Sequence, residues 1–179
     1  MLAHIVQEFA EHTGVSVRIL TEDRYNAAYY VMDGVPGHVI CINERFADEA
    51  KRVTASCQWK ELLAKNTEIL RMLGVAPTPK NIILCILLHE LGHRVHNARI
   101  GNDEYLRCHD AHAAACQKAR QDALAGRILA STYKSHYGSG LLERYANAFA
   151  RTHIRKVAAA DWADLATVCQ AAKLAVDWW

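Results

Sequence analysis

The stretch that most restricts how this chain can fold is Asn81 to Asn97, NIILCILLHELGHRVHN. The unbroken apolar run Ile82 to Leu88 is greasy on every side when wound as a helix, so the segment predicts a helix buried at the centre of a domain. Thr78 suits its N-cap and Pro79 its first turn, where a side-chain acceptor is rewarded and a missing N–H costs nothing. The last turns carry His89, Glu90 and His93, which spell H-E-x-x-H. At 3.6 residues per turn, positions four apart share a face, so both imidazoles can reach one ion. Glu90 lies at the edge of that face, placed to handle a proton without being a ligand itself. Polar groups on a buried helix must be satisfied, and a zinc ion does this for two histidines at once. The competing reading is a core helix whose polar end is incidental.

The remaining chain is consistent with one domain spanning residues 1–179, long enough to bury a core. A net charge of +2 is too small to suggest nucleic-acid binding by bulk electrostatics. Glu8 and Glu11 interrupt the first twenty residues, and no apolar run reaches membrane-spanning length, so the expectation is a soluble cytoplasmic protein without a secretory signal. Six cysteines (41, 57, 85, 108, 116 and 169) occur without a C-x-x-C pair, which predicts reduced, packed thiols rather than a disulfide framework.

Periodicity fills in the fold. Leu2, Ile5, Val6, Phe9 and Ala10 form the stripe of an amphipathic helix ending at Thr13-Gly14. Alternation over Val15–Ile19, the β-prone run Ala27–Met32 and the run His38–Asn43, with a turn at Asp33–Gly37, predict a small antiparallel or mixed three-stranded sheet lying against helices. Residues 47–73 read as one long or broken helix with Leu62, Leu63, Ile69, Leu70 and Leu73 inward. After the motif helix come a polar helix from Asp103 to about Ser131, a break at Gly138-Ser139-Gly140, a helix from Leu141 to about Ala159, and a last helix capped by Asp161. The fold class is α+β, predominantly helical.

A catalytic zinc site takes three protein ligands and keeps a fourth position for water. The longer pattern with a third histidine six residues after the second is excluded, because His96 and Arg99 stand where glycine and histidine are needed. The strongest third ligand is Glu143, near the start of the helix after the break. Asn147 follows one turn later on the same face, where an amide can hold a ligand histidine by its second nitrogen. Ala146 and Ala150 are small enough for this helix to pack closely on the motif helix. Rival oxygen donors are Glu104 and Asp110. Cys108, His112 and Cys116 recur every four residues and raise the possibility of a second metal. His96 reads as exposed or as support for a ligand, and Tyr133, His136 or Tyr137 as a donor to a developing oxyanion.

HELGH followed by E-x-x-A-N-x-F-A resembles the ImmA/IrrE-type zinc metallopeptidases, gluzincin-like enzymes of bacteria, phages and mobile elements. The preceding helix, small sheet and edge strand like HVICIN are similar too. The resemblance implies zinc held by His89, His93 and Glu143, with Glu90 as general base, and site-specific cleavage of a repressor-type, helix-turn-helix protein. The separation of 50 positions from His93 to Glu143 exceeds the spacing expected in that family, which marks about 101–137 as a helical insertion, and Tyr145 stands where the motif often has an acid. Two other classes of function stay open: a non-catalytic zinc-fold binding or anti-defence protein, and a toxin-like peptidase acting on a host protein.

Overall fold

In the computed structural model, which describes residues 1–21, 27–30, 39–44 and 57–172, the chain runs α1 (Leu2–Thr13), β1 (Val17–Leu20), β2 (Ala27–Tyr30), β3 (Val39–Asn43), α2 (Cys57–Met72), α3 (Pro79–Ile100), α4 (Asn102–Leu124), α5 (Ala130–Ser139), α6 (Leu141–Ala158) and α7 (Ala163–Ala171). It is predominantly helical with a small sheet.

Helix α3 is the axis. Every residue of Ile82 to Leu88 is buried, and Ile83, Leu84, Leu87 and Leu88 are fully enclosed. Each such side chain contributes about 1.5–3 kcal/mol by leaving water. The Thr78 side chain accepts from the Asn81 N–H at 3.2 Å and starts the helix there. Helices α1, α2, α4 and α6 and strands β2 and β3 all pack on α3, and its most extensive contact is with α6.

That contact depends on small residues. A Cβ at Gly92 would stand 2.9 Å from Ala146 Cα and 3.0 Å from Phe149 Cβ, so the two backbones approach as closely as they do only because a hydrogen stands there. Ala146 and Ala150 are buried on the facing side.

Helix α1 buries its stripe Leu2, Ile5, Val6 and Phe9 and stops at Gly14, whose left-handed backbone (φ 68°) ends the helix. Phe9 meets Trp162 edge-on at 6.2 Å, which ties α1 to the start of α7. Lys80 pairs with Glu8 at 2.8 Å across the α1–α3 junction.

In the sheet, β3 pairs in parallel with β1 (Val17 opposite Ile40, Leu20 opposite Asn43) and antiparallel with β2 (Ala27 opposite Ile42, Tyr30 opposite Val39). The order β1-β3-β2 corrects the expectation that HVICIN is an edge strand, since β3 is the middle one. Its physical reason is visible in burial: Ile40, Cys41, Ile42 and Asn43 are all covered, so both faces and both edges of the strand are occupied. The expected turn at Asp33–Gly37 and the start of the 47–73 helix lie outside the described residues.

Three other boundaries differ from the periodicity. The helix expected from Asp103 to about Ser131 ends at Leu124, where Ala125 and Gly126 (φ 70°) turn the chain before α5. Helix α5 runs through Gly138 and Ser139, so the break falls at Gly140 alone. The last helix is described from Ala163 to Ala171, with Asp161 accepting the Ala163 N–H at 3.3 Å. The thiols of Cys41, Cys85, Cys108, Cys116 and Cys169 are free, and burial raises the pKa of those of Cys85 and Cys169 to about 11. No described helix is long and apolar enough to cross a membrane.

Candidate metal centre

His89 and His93 stand one turn apart on α3, and Glu143 reaches them from the first turn of α6. The two Nε2 atoms are 3.2 Å apart, with rings nearly perpendicular. Glu143 Oε2 lies 3.5 Å from His89 Nε2, and its Oε1 lies 3.4 Å from His93 Nε2. A tetrahedral ion bonded at about 2.0–2.1 Å holds its ligand atoms about 3.3 Å apart. The three donors therefore already have the spacing of an occupied site, and they form the one group of at least three His, Cys, Asp or Glu side chains among the described residues that could hold a metal ion. Two nitrogens and one oxygen suit a divalent first-row ion. The histidine and carboxylate side chains keep 10–21% of their surface exposed, so the site opens outward on one side.

Electrostatics within the group are strong. Burial alone would raise the Glu143 carboxyl, but hydrogen bonds from His89 and His93 and their charge hold it well below the usual carboxylate range. Burial works against protonating His89, yet its hydrogen bond to Glu143 and the charges of Glu90 and Glu143 leave its pKa raised. A cation is thus favoured at this point whether it is a proton or a metal. Glu90 is buried beside the histidines, and its charge is felt both by His89 and by the Cys41 thiol on β3.

The group that supports His93 is not the expected one. Tyr105 Oη lies 3.1 Å from His93 Nδ1, and Tyr105 is buried. Among the described residues Asn147 makes no hydrogen bond to either histidine. Helical spacing could place Asn147 beside Glu143, but it could not show that α4 folds back onto α3. The available signal was a lone aromatic at the start of an otherwise polar helix, just after a glycine.

His96 is buried rather than exposed, stacked on Tyr145 at 4.2 Å and edge-on to Tyr105. Its pKa is lowered by burial and then by His93 and Arg99. The rival donors go elsewhere: Glu104 binds Arg107, and Asp110 sits beside His109 with 82% of its side chain exposed. Cys116 Sγ lies 3.6 Å from His112 Nε2, but the Cys108 thiol faces Glu104, so the Cys108–His112–Cys116 stripe does not converge on a second ion. Tyr133 is half-buried, and the side chains of His136 and Tyr137 lie outside the described residues. A separate groove of about 770 Å³ between α3, α6 and α7, lined by Val95, Arg99, Phe149, His153 and Val168, shares Tyr145 with this neighbourhood and none of the three donors.

Comparison with protein-family models, with curated proteins and with solved structures finds no match for the chain.

Proposed function

We propose that this chain is a zinc-dependent metallopeptidase of the ImmA/IrrE type, hydrolysing a peptide bond in a protein substrate, with a repressor-type regulator as the first substrate class to test. The observation that carries the reading is the convergence of His89, His93 and Glu143, from two helices, at ligand spacing beside a buried carboxylate. A purely structural zinc has four protein ligands and no need of a base, whereas this group offers three donors and Glu90 next to them.

In this reading His89, His93 and Glu143 hold the ion. When bound, zinc supplies a Lewis acid that lowers the pKa of water to about 7 and polarises a carbonyl. Glu90 takes the proton of the attacking water and returns it to the departing amine. Its burial on α3 fixes the carboxylate beside the ligands. Glu143 and the two imidazoles would serve as ligands and exchange no proton.

The test pairs two variants. Glu90→Gln is expected to keep zinc and fold and to lose hydrolysis, whereas His93→Ala loses zinc as well. Bound metal is measured on both purified proteins, and candidate repressors are incubated with each, with and without a chelator. Equal zinc in the two variants contradicts the ligand assignment. Full zinc in the wild type with no cleavage of any protein or peptide supports the non-catalytic reading instead.

A further inference from the structure

Helix α3 ends at Ile100 and α4 begins at Asn102, with the single residue Gly101 between them at φ 88° and ψ 154°. L side chains rarely adopt that backbone conformation, and it turns the chain back on itself within one residue. One turn into α4, Tyr105 therefore lies against the helix the chain has just left. Its Oη comes within 3.1 Å of His93 Nδ1, and its ring stands edge-on to His96. Helix α4 is otherwise a surface helix, with Tyr105 and Ala119 its buried residues. The one aromatic that this polar helix buries thus brings its polar atom to a candidate metal ligand.

A neutral imidazole carries one proton, so His93 can offer a bare Nε2 to an ion only when Nδ1 is protonated. A buried N–H in turn requires an acceptor. We propose that Tyr105 is the positioning residue of the metal centre: its phenolic oxygen accepts the Nδ1–H of His93 and fixes the tautomer whose bare Nε2 faces His89 and Glu143. The inference rests on the metal reading given above. It also gives the region that spacing marks as an insertion a definite task. Gly101 and Tyr105 belong to the site although neither touches the ion. Carboxylates and backbone carbonyls commonly fill this role; a phenolic oxygen can accept the same N–H while adding no negative charge beside Glu90 and Glu143.

The experiment uses the full chain and zinc itself. Zinc affinity of wild type and Tyr105→Phe is measured by competition with a chromophoric chelator, and the cobalt-substituted proteins are compared by visible spectra. Side-chain nitrogen NMR of zinc-loaded wild type reads the His93 tautomer directly, with no variant involved. The expected results are a proton on His93 Nδ1, a zinc affinity about ten- to a hundredfold weaker in Tyr105→Phe, an altered cobalt spectrum, and nearly unchanged thermal unfolding of the metal-free variant. Equal zinc affinity in the two proteins overturns the proposal, as does a proton on Nε2 of His93 in the loaded wild type. If Tyr105→Phe does not fold, the His93 Nδ1–H of loaded wild type decides: a slowly exchanging, hydrogen-bonded proton supports the proposal, and one that exchanges freely with solvent overturns it. A wild type that binds no zinc overturns the metal reading, and this inference with it.

Discussion

Replacing Gly92 with alanine adds one methyl group at the point where α3 and α6 are closest. The new carbon would sit 2.9 Å from Ala146 Cα, 3.0 Å from Phe149 Cβ and 3.2 Å from the Ala146 carbonyl oxygen, where ordinary contact begins at 3.4 Å. Two of the three obstacles are backbone, so no rotamer change removes them, and α6 must retreat by roughly 0.5 Å. Overpacking of this kind costs about 1–3 kcal/mol. Alanine in place of glycine inside a helix returns about 1 kcal/mol, so net destabilisation is about 0–2 kcal/mol and the fold survives. The metal site is less forgiving. Glu143 lies one turn before Ala146 on the helix that moves, His93 is the next residue after Gly92, and metal–ligand distances tolerate only about 0.2 Å. Zinc affinity is therefore expected to fall by about ten- to a hundredfold, the range seen when ligands lose their support. Chelator competition reads the affinity, and denaturant unfolding of the metal-free protein reads the stability. A Gly92→Ala protein that is more stable by about 1 kcal/mol and binds zinc as tightly as wild type would refute the close approach and the argument built on it.

Three more predictions follow from the core and the charge pattern. Leu87→Ala, at a fully enclosed position in α3, should cost about 2–5 kcal/mol in denaturant unfolding; a loss below about 1 kcal/mol would mean that α3 is not the central helix. In the metal-free protein, the raised pKa of His89 contributes stability below its ordinary value of 6.5 and loses it as pH rises through the folded value, while the lowered pKa of Glu143 contributes above its ordinary 4.5 and loses it as pH falls through the folded value. Their joint contribution is largest between those ordinary values, so metal-free Glu143→Gln should fall further below wild type in stability at pH 5.5 than at pH 8. Because zinc must displace the His89 proton, its affinity should rise over the same interval, with proton release visible in calorimetry as a dependence on buffer. Affinity that is flat with pH would contradict this.

The centre of the fold was legible because its causes are local. An apolar run with a threonine cap specifies α3, and four-residue spacing puts two imidazoles on one face. The small residues around Glu143 mark the helix able to approach them. What stayed hidden depends on contacts between distant segments. Nothing in HELGH by itself says that Gly92 is a contact surface for Ala146, and periodicity cannot tell that Gly101 folds α4 back to bring Tyr105 to His93. The middle position of β3 needs the pairing of β1, β2 and β3 to be known. The end of α4 was missed for a subtler reason. Leu124 to Ala130 holds good helix formers, and the single Gly126 was outweighed by them, although its left-handed backbone ends the helix.

The position of Glu143 in the first turn of α6 also bears on which donor can stand there. The free N–H groups and the positive end of the peptide dipoles at a helix start favour an anion. A carboxylate at this point is stabilised by its own helix before any ion arrives, whereas a neutral imidazole would forgo that stabilisation and a protonated one would be repelled. The architecture therefore favours an acidic third donor, which would leave a bound divalent ion with one net positive charge rather than two.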